Sequence, residues 1–154
     1  MYRRVLVPLD GSRVAEGVLA LILQIGGPCA LEVVLVRVVE PIVPQSIEGT
    51  GFFMADVMAA RLKEAGEYLD AVAANLREHG VRVTTEARHG EPVVELVAAA
   101  RETRAGLIAM TTHGWGGFGR LLVGSVAEAV LRQAEIPVLM MRLTVRQVSA
   151  VEAA

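Results

Sequence analysis

The run Leu31 to Val39, LEVVLVRVV, restricts the fold of this chain more than any other segment. It is dense in β-branched residues and nearly continuous in apolarity, whereas a strand with one face in water alternates. A strand apolar on both sides belongs in a parallel sheet covered by helices on both faces. Parallel neighbours cannot be joined by a tight hairpin, so the chain must also supply crossover segments of about a dozen residues or more.

The rest of the sequence supplies them. Arg4 to Leu9 is a short apolar run stopped by Asp10-Gly11-Ser12, residues with turn and helix-cap chemistry. Val14, Val18, Leu21, Ile22 and Ile25 fall on one face of a helix over 14–25, which Gly26-Gly27-Pro28 terminate. After the strand at 31–39, residues 40–52 (EPIVPQSIEGTGF) show no period and read as loop. Met58, Leu62, Ala65, Leu69, Val72 and Leu76 then mark a long helix ending near Gly80, with their stripe facing the core. A strand over Val81 to Ala87 leads to a helix opened by Pro92 and running to about Arg104. A strand at Leu107 to Met110, a loop over 112–123, a helix from Ser125 to Gln133 and a strand from Pro137 to Arg142 complete the alternation. With right-handed crossovers this is an α/β domain, a doubly wound five-stranded parallel sheet with helices on both faces. It occupies residues 1–143, and 144–154 form a C-terminal tail.

A chain of 154 residues, 53% hydrophobic, buries a core without disulfides or a structural metal. Cys29 is its only cysteine, which excludes an internal disulfide and a cysteine zinc cluster. The formal charge of -2 and the scattered arginines offer no field for nucleic acid or an acidic membrane. Apolar stretches fall short of the roughly 18–20 residues that span a bilayer. Pro8 and Asp10 interrupt the N-terminal stretch before it can serve as a signal core. A cytoplasmic protein is expected.

In doubly wound sheets ligands sit beyond the carboxyl ends of the strands. Those ends are Asp10 to Ser12, Val38 to Glu40, Arg88 to Gly90, and Thr111 onward. The last is the richest: Gly114, Gly116, Gly117 and Gly119 lie between an apolar strand and the helix opened by Gly124-Ser125. Glycines permit positive φ and close backbone approach, and free amides at a helix start attract phosphate. Ser125 taken alone reads first as a helix cap, but the whole combination reads as an anion cradle. Asp10 is the only aspartate at a strand's carboxyl end, where a carboxylate accepts ribose hydroxyls, holds Mg²⁺ through water, or caps the first helix. His113 and Arg120 are in reach of a phosphate in the same loop, although solvated roles are the commoner ones; Trp115 covers a ligand, meets a partner or shields the loop.

The spacing Gly114, nine residues, Gly124-Ser125 resembles the nucleotide signature of the universal stress protein family, whose preceding glycine is here Thr111. The resemblance extends from RRVLVPLDGS through RHGEPVVELVAAA to VGSVAEAVLRQAEIPVLMMR. It implies a Rossmann-like, adenine nucleotide α-hydrolase-like fold that binds ATP. By that likeness Pro8 and Leu9 shape the base pocket, the Val38 backbone meets adenine, and Asp10 contacts the ribose. Gly114, Gly124, Ser125 and Val126 hold the phosphates, with Ser12 in the same vicinity. A β-branched Thr111 is expected to resist positive φ and to add bulk beside the ligand.

Catalytic readings find little support. The only lysine is Lys63, in the long helix, so the lysine of a phosphate-binding P-loop is missing. No serine sits in a nucleophile elbow, and no histidine pair has metal-ligand spacing. Two readings remain: an ATP-binding regulatory protein with slow or no hydrolysis, or an interaction protein of the same fold that has lost nucleotide binding through Thr111. In either case the apolar strand 137–142 at a sheet edge predicts a homodimer.

Overall fold

The computed structural model describes residues 3–26, 30–41, 51–112 and 124–143, except for the side chains of 51–54. Cys29, most of the loop expected at 40–52, the glycine-rich loop with His113, Gly114, Trp115 and Arg120, and the tail 144–154 lie outside the described residues.

The elements alternate as anticipated. They are β1 (Arg4–Pro8), α1 (Arg13–Glu16), α2 (Leu19–Gly26), β2 (Glu32–Val39), α3 (Gly51–Glu78), β3 (Arg82–His89), α4 (Pro92–Glu102), β4 (Leu107–Thr112), α5 (Ser125–Gln133) and β5 (Val138–Arg142). All strand pairs are parallel and the sheet order is β3-β2-β1-β4-β5. From β1 the chain winds outward through β2 and β3, then returns to the other side of β1 for β4 and β5.

Strand β2 accounts for both cores. Val33 and Leu35 join Ile22, Leu69, Ala73 and Leu76 on the side of α2 and α3. Val34 and Val36 join Val93, Leu96, Ala99 and Val130 on the side of α4 and α5. Alternating side chains of one strand are thus buried by different helix layers, which is why the run shows no polar alternation. Ile22 and Leu69 have no accessible surface, and burying each contributes about 2 kcal/mol.

Three boundaries differ from expectation. The helix anticipated over 14–25 is two pieces, broken at Gly17, whose N–H turns back to the Val14 carbonyl at 3.1 Å. A Cβ at Gly17 would lie 2.6 Å from a methyl of Leu143, so the backbone jog makes room for a side chain from beyond β5. The long helix starts at Gly51, ahead of the buried stripe: among residues 55–61 only Val57 and Met58 are half-buried, the others are exposed, and full burial begins at Ala65. Strand β4 extends through Thr111 and Thr112, which pair with Met141 and Arg142.

Candidate functional site

Crossovers leave β1 and β4 in opposite directions, and helices cannot close the sheet edge between them. A cavity of about 410 Å³ lies there, within the range of small-molecule sites. Strand β1 contributes Pro8, Leu9 and Asp10, β2 contributes Val36, Val38 and Glu40, and β4 contributes Met110 and Thr111. Helix starts supply Ala15, Pro92 with Leu96, and the run Gly124 to Ala127.

The three helices reaching the cavity present their N-termini differently. In α1 the Ser12 hydroxyl accepts the Ala15 N–H at 3.1 Å. In α4 the Glu91 carboxylate accepts from Val93 at 3.2 Å and Val94 at 2.8 Å, with Pro92 in the first turn. Helix α5 has Gly124 as its N-cap and no side-chain cap hydrogen bond. Its first helical bond runs from Glu128 N–H to the Gly124 carbonyl at 2.9 Å, which leaves the amides of Ser125, Val126 and Ala127 without a partner inside the helix. These amides and the positive end of the helix suit an anion. Ser125 therefore stands in the first turn of α5 rather than capping it.

Asp10 extends the carboxyl end of β1, and one of its oxygens accepts the Ser12 N–H at 2.8 Å. It closes the turn before α1, while Ser12 is the cap. Ser12 is not among the residues lining the cavity. Gly11 between them has φ +89°, which an L side chain rarely adopts.

Thr111 corrects one expectation. It lies in β4, only 6% exposed, and its hydroxyl donates to the Val14 carbonyl at 3.1 Å. Among the described residues the only non-glycine positions with positive φ are Ala30 and Arg104. Position 111 does not require positive φ, so a β-branched residue fits it without strain. Its polar atom is turned to α1.

Pro8, Leu9, Asp10, Val38, Thr111, Gly124, Ser125 and Val126, singled out from sequence, thus meet around one cavity. Gly114, His113 and Arg120 fall outside the described residues. The third strand end does not take part: Arg88 is saturated by carboxylates, bonding Glu86 at 2.8 Å and Glu102 at 2.5 Å with Glu95 at 3.6 Å. That pairing holds the Glu102 carboxyl below its ordinary range. Residues missed by sequence reasoning include Pro92 and Leu96, while Glu40 enters it only as part of the strand end Val38 to Glu40. Proline three residues beyond the end of β3 was the available signal, since it placed the start of α4 at the ligand edge. No cluster of three or more metal-ligating side chains occurs among the described residues, and no helix there is long and apolar enough to cross a membrane.

The universal stress protein family model matches residues 1–142. The universal stress protein MJ0531 of Methanocaldococcus jannaschii is 35% identical over 145 residues, covering 92% of this chain and 83% of that protein. The solved structure of MJ0577 from the same organism is 27% identical, with a TM-score of 0.79 over 94% of this chain and 98% of its own. A universal stress protein from Archaeoglobus fulgidus, solved in complex with dAMP, shares the fold at 22% identity and a TM-score of 0.62, with 90% and 97% of the two chains covered. Sheet order, the crevice beside β1 and a match spanning nearly the whole chain agree: this chain belongs to the universal stress protein family.

Proposed function

We propose that this protein binds an adenine nucleotide, ATP foremost, in the crevice between β1 and β4, and acts as a cytoplasmic regulatory protein of a stress response with slow or no turnover. The carrying observation is one cavity that has the Asp10 carboxylate beside β1 and the uncapped start of α5 across from it. Adjacent strands are about 4.8 Å apart, so the ends of β2, β1 and β4 span about 10 Å, which suits base, ribose and phosphate in sequence. In that order adenine meets Val38 over Pro8 and Leu9, the ribose hydroxyls meet Asp10, and the phosphates meet the amides of Gly124, Ser125 and Val126. By family likeness Gly114 joins the phosphate contacts, with His113 and Arg120 nearby. Asp10 and Glu40 are the carboxylates among the described residues lining the cavity, and Asp10 would hold Mg²⁺ accompanying ATP through water. Lys63 sits on α3 with a loose ion pair to Glu67 at 3.7 Å and does not line the cavity, so no lysine is placed to neutralise a transferring phosphoryl group.

Calorimetric titration of the full chain with Mg-ATP tests the reading. Saturable heat is expected at protein concentrations of about 100 μM, and its absence there overturns it. The competing reading, an interaction protein that lost nucleotide binding through Thr111, has two grounds: strain, which a regular strand at Thr111 does not support, and bulk beside the ligand, which Thr111 contributes to the cavity wall. A homodimer joined along β5 belongs to the same proposal.

A further inference from the structure

Behind the β1–α1 turn lies a polar cluster that does not line the cavity. Arg37 stands between Val36 and Val38, both of which do, so strand alternation sends Arg37 to the opposite face of β2. Its guanidinium lies 5.0 Å from the ring centroid of Tyr68 on α3. The Tyr68 hydroxyl donates to Glu16 on α1 at 2.8 Å. The guanidinium also lies close to Gly11: a Cβ built there would fall 3.2 Å from both Cζ and a terminal nitrogen.

Gly11 adjoins Asp10, and both are exposed. One Asp10 oxygen accepts the Ser12 N–H and closes the turn, so the direction in which the carboxylate meets a ribose follows from where that turn is held. We propose that Arg37, beside Gly11 and the Tyr68 ring, is a positioning residue that fixes the turn carrying Asp10 and so sets the recognition of ribose. The inference rests on the nucleotide reading, with Asp10 as the ribose acceptor. A planar guanidinium serves because one face stacks on an aromatic ring while its rim stays polar, which an ammonium cannot match. Burial first, then the Glu16 hydrogen bond, push the Tyr68 phenol above its ordinary range, so the ring remains neutral beneath the cation. Tyr68 and Glu16 in turn brace the cluster against α3 and α1.

The test compares Mg-ATP with its 2′,3′-dideoxy analogue by calorimetry on the full chain. The wild type is expected to favour ATP by about tenfold, as for one hydrogen bond to a charged group. Arg37→Met keeps the aliphatic stem, and it should lower ATP affinity to that of the analogue while leaving the analogue unchanged. Arg37→Lys should fall between. Asp10→Ala should show the same collapse, with no further loss on adding Arg37→Met. If Arg37→Met does not fold, Tyr68→Leu removes the ring beside the guanidinium and should shift the ratio in the same direction. A preserved ratio in these variants overturns the inference, as does an equal loss for both ligands, and the nucleotide reading survives either result. Equal wild-type affinity for both ligands also overturns the inference alone. No wild-type binding to either ligand removes the nucleotide reading itself, and the inference with it.

Discussion

Thr111 carries, in its backbone, one of the two grounds on which the functional readings differ. In the sequence it replaces a glycine, and the physical question is whether the backbone there needs glycine's freedom. It does not: Thr111 is extended, buried, and bonded through Oγ1 to the Val14 carbonyl. That carbonyl also accepts the Gly17 N–H at 3.1 Å, so Thr111→Val leaves no orphaned acceptor and should cost only about 0.5–1.5 kcal/mol. Thr111→Gly loses the same bond along with β propensity and backbone restriction, and should destabilise by about 1–3 kcal/mol. Urea unfolding measures both variants. Thr111→Gly should bring no gain in ATP affinity, and a gain confined to that variant would restore the reading in which Thr111 abolishes binding.

At the scale of elements, the long helix α3 is tied to α1 by the Tyr68–Glu16 bond, and this contact has a pH signature. Burial and the neighbouring carboxylate raise the phenol above its usual value of about 10, so the folded chain keeps a proton that the unfolded chain releases. The stabilisation is complete below about pH 10 and falls as pH rises through the folded value, because folding then requires proton uptake. Tyr68→Phe should be about 0.5–1.5 kcal/mol less stable at neutral pH, and its deficit should shrink in alkali. Urea midpoints at neutral pH and above pH 10 read this out, and a deficit independent of pH would contradict it. The same elements show what sequence could reveal. Local periodicity located every strand because β-branched runs between breakers are a local signal. It missed the break at Gly17, a position at which Leu143, from the far end of the described chain, leaves room for glycine alone. It missed the start of α3 because Ala55 and Asp56, ahead of the stripe that opens at Met58, are exposed and add nothing to it. At the site, residues at strand ends were legible, Glu40 among them, whereas Leu96 enters the cavity from the second turn of α4, away from any strand end. The uncapped start of α5 was legible as a glycine-serine pair, but that Ser125 does not cap it depended on where the helix begins.

At the scale of the molecule, the strand order leaves two edges of unlike character. Strand β3 reads RVTTEARH, with charged and hydroxyl side chains that discourage pairing, while β5 reads VLMMR and is half-buried along most of its length. An apolar edge with open backbone groups favours a second strand, so association through β5 is the expected mode. The geometry offers a selective way to block it. Ile108 N–H donates to the Pro137 carbonyl at 3.0 Å, which turns the backbone groups of Pro137, and by alternation those of Leu139 and Met141, toward β4. The amides of Val138, Met140 and Arg142 then face outward. Met140→Pro deletes an outward donor without touching the β4 ladder, the placement in which edge strands tolerate proline. Light scattering at micromolar concentration should give a dimer for the wild type and a monomer for Met140→Pro, with retained Mg-ATP binding showing that the domain still folds. A monomeric wild type, or a dimer that persists in the folded variant, would place association elsewhere or remove it. The cavity opens at the centre of the sheet, between β1 and β4, whereas β5 lies at its margin. Nucleotide affinity in the monomeric variant should therefore match that of the dimer, because the groups assigned to base, ribose and phosphate all come from one chain.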